Sequence, residues 1–244
     1  MKLDLAAISV YLAVFARAAA FLHAAPLTGD RQLSNKARAG IAAAIALAVA
    51  PVRPPLDPAA LPLAIPAEIL LGLLAGFTAR MVLAGAEAGG DIIGLQFGLG
   101  FAQTADPARG EPAAMTRQLA MCIAGLAFLA AGGLEAGVRV IAAAPSDVYT
   151  LHGGLDRIIH QSGQVLVAGL RLAAPALIAG TLTNLGLAFA SRAAPALNVF
   201  SVMLAGMLIV GAIVLLGTAP VFVRQIEDLA RHAVDSLDAF WLVR

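Results

Sequence analysis

Apolar residues occur along this chain in long unbroken blocks, not in the one-sided stripes of helices that face water. A block of about 20 apolar residues is the length that carries a helix across a bilayer core. Residues 172–191 and 198–223 meet that length with no formal charge. Residues 118–134 form a slightly shorter block bounded by Arg117 and Glu135, with room to extend toward Ala144. Residues 5–25 are long enough but carry Arg17. The run 39–52 is short and is stopped by Pro51, Pro54, Pro55 and Pro58, so it is expected to cross only a fraction of a membrane. Residues 65–94 read as one long helix with Pro66 in the first turn, where a missing N–H breaks no hydrogen bond. The pattern predicts an all-α chain of about six hydrophobic helical segments, some of them short or broken.

Composition settles the solvent of these segments. With 60% hydrophobic residues, 13% charged and a mean hydropathy of +0.88, the chain is an integral membrane protein. A net charge of +1, with lysine only at Lys2 and Lys36, leaves no footprint for nucleic acid. The single cysteine, Cys122, lies in an apolar run, so a disulfide framework is ruled out and a buried hydrophobic role is expected. Lys2 followed by an apolar run ending near His23 has the outline of a secretory signal. Asp4, Arg17 and the later segments favour a retained first helix. Loop charges do not orient the segments, because Arg31, Lys36, Arg38, Arg109, Arg117 and Arg192 on one side balance Lys2, Arg53, Arg139, Arg157 and the C-terminal arginines. That balance fits hydrophobic segments covered by partner subunits in place of lipid.

Charges inside apolar runs point the same way. An ionised side chain at the centre of a membrane helix costs on the order of 3 kcal/mol on insertion scales. Glu68, Arg80 and Arg171 are therefore expected to face protein or water. Glu68, Gly72, Gly76 and Arg80 recur every fourth residue and share a helix face. That face continues through Ala86, Gly90, Gly94 and Gly98. Its small residues permit close backbone approach and call for a closely packed partner.

Residues 87–107, EAGGDIIGLQFGLGFAQTADP, are too apolar for a solvated loop and too polar and glycine-rich for a lipid-facing helix. Each interior glycine costs about 1 kcal/mol relative to alanine, so a break is expected between Gly94 and Gly100. Phe101, Gln103, Thr104, Asp106 and Pro107 follow, then Arg109, Gly110, Glu111 and Pro112. Lipid cannot satisfy the backbone of such a connector, which must border protein or a water-filled cavity.

Catalytic signatures are missing from the sequence. It contains no His-Glu-x-x-His, Gly-x-Ser-x-Gly or phosphate-binding loop, and His23, His152, His160 and His232 are dispersed. Neither an enzymatic role nor a cofactor or metal is expected. A conduit or binding function remains, with a small-molecule secondary transporter using Glu68, Arg80 and Asp91 as the alternative.

Several motifs carry a resemblance in chain order: Phe15-Ala16-Arg17, Pro26-Leu27-Thr28-Gly29, Lys36-Ala37-Arg38, Glu68-Ile69-Leu70-Leu71-Gly72 with Gly76, Ala88-Gly89-Gly90-Asp91, and Gly94-Leu95-Gln96-Phe97-Gly98 leading to Asp106-Pro107. Ala174-Pro175, Asn184-Leu185-Gly186 and Arg192 to Phe200 follow, the last including Pro195 and Asn198. Together they resemble the FliR/SctT family of flagellar and injectisome export-gate proteins over nearly the whole chain. Ala196 stands where the family usually has glutamine.

The resemblance implies one membrane domain, 1–244, whose N-terminal half, residues 1–112, carries a plug-forming region and whose C-terminal half, residues 113–244, is helical. It implies one subunit of a helical hetero-oligomeric gate, built with FliP-like and FliQ-like subunits beside FlhB- and FlhA-like export proteins. Unfolded substrates would cross the bacterial inner membrane through it, at the flagellar basal body or in another type III secretion system. Gln96, Phe97, Gly98, Phe101, Gln103, Asp106 and Pro107 are the implied plug, with Phe97 and Phe101 as apolar blockers. Arg17, Glu68, Gly72, Gly76, Arg80, Gly90, Gly94, Asn184, Arg192, Pro195 and Asn198 are the expected helix-packing and subunit-interface residues.

Overall fold

Helix starts and stops follow the proline, glycine and cap chemistry of the chain. The computed structural model describes residues 5–26, 28, 33–98, 115–143, 148–193 and 199–238. Helix α1, Leu5–Ala24, ends just before Pro26. Helix α2, Asn35–Val49, starts at Ser34, whose hydroxyl accepts from the Ala37 N–H at 3.2 Å. Such a cap is worth about 1 kcal/mol. Two short 3₁₀ turns, Ala50–Val52 and Pro58–Ala60, bracket the proline-rich link that closes α2.

Helix α3, Leu61–Gln96, begins four residues before the expected start, so Pro66 lies inside it. The carbonyl deprived of its donor is that of Pro62, an exposed residue in the first turn, where the loss is cheap. Helix α4, Met115–Ala130, and helix α5, Gly133–Ala142, divide the expected single block 118–134. The chain bends by 61° between them. Gly132 makes the bend at φ +88°, a left-handed conformation open to glycine without steric cost. Helices α6, Val148–Ala193, and α7, Val199–Asp238, extend well past the charge-free blocks they contain. The tail of α7 explains its extension: Ile226, Ala230, Ala233, Val234 and Leu237 are buried at helical spacing, while Arg224, Glu227, Asp228 and Arg231 are exposed.

The described residues are 92% helical with no strand, so the core is formed by helix faces alone. Among the described residues, five helices are long and apolar enough to cross a membrane, or six if the bent α4–α5 pair forms one span.

Two compact units share these helices. The first comprises Met1–Leu83, Ala127–Gly163 and Ala230–Arg244; the second comprises Ala84–Leu126 and Gln164–Leu229. In the first, α1 and α2 run antiparallel: Tyr11 donates to the Ala43 carbonyl at 3.5 Å, while His23 near the end of α1 lies beside Arg38 in the first turn of α2. The early turns of α3 lie on α1. A Cβ at Gly72 would meet the Arg17 carbonyl at 2.4 Å, and one at Gly76 would meet the Phe21 carbonyl at 2.7 Å. The small-residue stripe thus finds a partner in the chain's own first helix.

In the second unit, α3 meets α6 where Gly169 lies 3.2 Å, measured from an added Cβ, from both the Gly85 carbonyl and the Gly89 N–H nitrogen. Cys122 is exposed here, against expectation. It shares a face of α4 with exposed Leu119 and Leu126. In a membrane protein the outward face is itself apolar, so apolar neighbours in sequence do not imply an interior position.

Candidate functional site

Arg53 precedes Pro54 and takes the extended conformation that a following proline favours, φ −83° and ψ 149°. Its side chain is buried. Glu68, one turn before Gly72 on α3, receives it: Arg53 Nη1 donates to Glu68 Oε1 at 3.1 Å. The second carboxylate oxygen accepts from Arg17 Nε of α1. None of the three side chains is more than 3% exposed.

Two cations around one anion leave a surplus positive charge. The end of α5 absorbs it. Arg17 Nη1 reaches the carbonyls of Val140 at 3.2 Å and Ala143 at 3.1 Å, and Arg53 Nη2 reaches that of Ile141 at 2.9 Å. The last carbonyls of a helix have no intrahelical donors and carry the negative end of its dipole, so they suit cations. Arg53 Nε has no partner among the described residues. One cluster thus ties α1, the proline-rich link, α3 and α5 together.

In the second unit, α3 stops at Gln96. Phe97 N–H donates to the Ile93 carbonyl at 3.2 Å and Gly98 N–H to that of Leu95 at 3.3 Å, closing the helix end. Gly98 has φ +70°, the left-handed conformation typical of a glycine just past a helix terminus. The Phe97 ring is wholly buried with Ile93, Ala173, Ala176 and Met207. Nearby, Thr116 on α4 donates to the Gly90 carbonyl at 2.7 Å, and Arg117 pairs with Glu87 at 3.1 Å and Asp91 at 3.6 Å. Residues 99–114, between these anchored ends, lie outside the described residues.

Residues 8–233 match the model of a family described as bacterial export proteins, family 1. The chain belongs to this family, that of FliR and SctT. Comparison with curated proteins returns no match. The family match and the apolar helices together make the chain a bacterial membrane protein of an export apparatus, acting in protein transport and secretion.

Within this FliR/SctT-family chain the expected site residues are dispersed. Arg17 and Glu68 come together; Gly72 and Gly76 lie against α1, and Gly90 against the backbone of Thr116 and Arg117 on α4. Gly94 is buried and Arg80 half-buried, while Arg171, Asn184 and Arg192 are exposed on α6. Phe101, Gln103, Asp106, Pro107, Pro195 and Asn198 lie outside the described residues. Glu68 and Arg80 do not form one polar site. Twelve residues apart on a single helix, they are separated by about 18 Å of axial rise, and the Glu68 carboxylate is engaged by Arg17 and Arg53. Asp91 pairs with Arg117 instead.

The residue that sequence reasoning missed is Arg53, counted there as a loop charge. Its signal was an arginine set among prolines directly after an apolar run, followed at helical distance by an unpaired-looking acid. Among the described residues, no three His, Cys, Asp or Glu side chains converge as a metal site.

Proposed function

We propose that the chain is a FliR-like subunit of a type III secretion export gate. With FliP-like and FliQ-like subunits it forms the channel through which unfolded flagellar or effector proteins cross the inner membrane, in contact with FlhB- and FlhA-like proteins. The family match over residues 8–233 carries this reading. Helix surfaces support it: on α6 and α7, Leu182, Phe189, Ile209, Ile213 and Leu216 are all more than half exposed on the isolated chain, a face for lipid or neighbouring subunits.

In this reading the subunit performs no covalent chemistry and holds no cofactor. It supplies a wall and a closure, and other components supply the energy. The segment after Gly98 is the closure, as the resemblance implies, and the cluster around Glu68 is a brace inside the subunit. The plug is tested by deleting residues 98–112 and measuring ion leakage through the assembled complex. Leakage rises if the segment closes the channel and stays at the wild-type rate if it does not. Native mass spectrometry of the detergent-extracted complex tests the assignment as a whole. One copy of this chain with several FliP-like and FliQ-like subunits is the expected composition; a monomer or a symmetric homo-oligomer rejects it.

A further inference from the structure

The proline-rich link between α2 and α3 hangs on one side chain. From residue 51 to residue 60 every position is exposed except Leu56, which is half-buried, and Arg53, which is buried. The hydrogen bonds of the link are local: Arg53 N–H donates to the Ala50 carbonyl at 3.2 Å, Ala60 N–H to the Asp57 carbonyl at 2.9 Å and Ala59 N–H to Asp57 Oδ1 at 3.0 Å. Among the described residues, no backbone hydrogen bond of the link reaches another helix. Its four prolines fix φ, so it moves as a stiff piece and not as a slack loop. Asp57 is exposed on it, which places the link where water can solvate a charge.

The buried cluster that Arg53 enters holds two cations and one anion, and its members differ in what their departure leaves behind. Glu68 cannot leave without stranding two guanidiniums. Arg17 is held through its backbone as well, since a Cβ at Gly72 would lie 2.4 Å from the Arg17 carbonyl, and its departure would separate α1 from α3. Arg53 alone sits on a movable piece. When it leaves, Arg17 and Glu68 remain as a neutral pair, with Arg17 still on the Val140 and Ala143 carbonyls. Leaving breaks the bonds of Arg53 to Glu68 at 3.1 Å and to the Ile141 carbonyl at 2.9 Å. It also releases Arg53 Nε, buried with no partner among the described residues, to bond with water.

We propose that the link is a releasable strap, which swings away from α3 and α5 as Arg53 passes into water while the Arg17–Glu68 pair and the α1–α3 contact stay closed. Opening frees the end of α2 and uncovers the Ile141 carbonyl. It is a local opening of the first unit, of the kind that proceeds without global unfolding, and it does not depend on the export reading.

The test treats the wild-type full chain, in detergent, with phenylglyoxal, a neutral reagent selective for arginine, and follows each arginine by peptide mass spectrometry at early times. Arg17 and Arg53 are equally buried in the closed state, so burial alone predicts equal protection. A strap predicts a ladder: exposed Arg224 reacts first, Arg53 at least tenfold more slowly, and Arg17 at least tenfold more slowly than Arg53. Equal rates at Arg17 and Arg53, including no reaction at either, overturn the proposal, because the cluster then opens as a whole or not at all. Arg53 reacting as fast as Arg224 overturns it too, since the strap would then never close. Hydrogen exchange of Arg53→Gln supplies a second reading. Amides of residues 52–60 should exchange severalfold faster than in wild type, with those around Arg17 and Glu68 unchanged; faster exchange throughout α1 and α3, or none in the link, rejects a strap. If the variant does not accumulate, the wild-type labelling decides alone.

Discussion

Arg17 on α1 donates to Glu68 on α3 across 51 positions of sequence, and both side chains are almost completely buried. Removing one member of a buried ion pair costs about 3–5 kcal/mol, because the other charge is left without compensation. Here the two sides are unequal. Glu68→Ala strands Arg17 and Arg53 together, whereas Arg17→Ala leaves Glu68 still paired with Arg53. Glu68→Ala should therefore lower the thermal midpoint of the detergent-solubilised protein and its level in the membrane fraction more than Arg17→Ala does. Equal losses would mean that Arg53 adds nothing.

The contact of α1 with α3 should tolerate no side chain at Gly72 or Gly76. The atoms an added Cβ would meet include the Arg17 and Phe21 carbonyls, which are backbone and cannot swing aside. Gly72→Ala is expected to cost about 1–3 kcal/mol by overpacking, and Gly72→Leu to abolish accumulation. Gly40→Ala on α2, where an added Cβ meets nothing within 4 Å, should be neutral or stabilising by up to ~1 kcal/mol. Expression level and thermal unfolding of the three variants check the contrast.

Gly132 separates backbone strain from packing. Its added Cβ has open space, yet its φ is +88°. Gly132→Ala should thus destabilise by about 1–2 kcal/mol through the left-handed conformation alone. Gly132→Asn should cost less, since asparagine accepts that region more readily. Equal midpoints for the two variants would count against a strained turn.

Arg139 and Asp238 offer the opposite case to the buried cluster. Their two hydrogen bonds, at 3.0 and 3.1 Å, are well formed, but the side chains are 52% and 40% exposed. Exposed pairs contribute less than about 1 kcal/mol. Arg139→Ala should leave the thermal midpoint within about a degree or two of wild type, while Arg17→Ala moves it clearly.

Helix positions could be read along the chain because each signal is local. Apolar block length marked the spans, Pro51 and Pro58 marked the end of α2, and the glycines from Gly94 to Gly100 bracketed the end of α3. Signals that depend on more than one neighbourhood were misread. The start of α3 was placed late, because Pro66 looks like a first-turn proline until the helix before it is seen. The block 118–134 looked continuous, although Gly132 divides it. Cys122 was assigned to the interior, since hydropathy reports membrane solvent and protein interior alike.

The sequence alone determined that this is a helical membrane protein of an export family, because hydrophobic block length and motif order are properties of the chain itself. It also marked Glu68 and the glycine stripe as residues needing a partner. Only the tertiary structure decided who the partners are: Arg17, Arg53 and the α5 carbonyls for Glu68, α1 for Gly72 and Gly76, and Ala173, Ala176 and Met207 for Phe97. The physical reason is distance along the chain. A buried charge or a missing side chain states that something must fill the space, but what fills it comes from segments tens to more than a hundred residues away, brought there by packing.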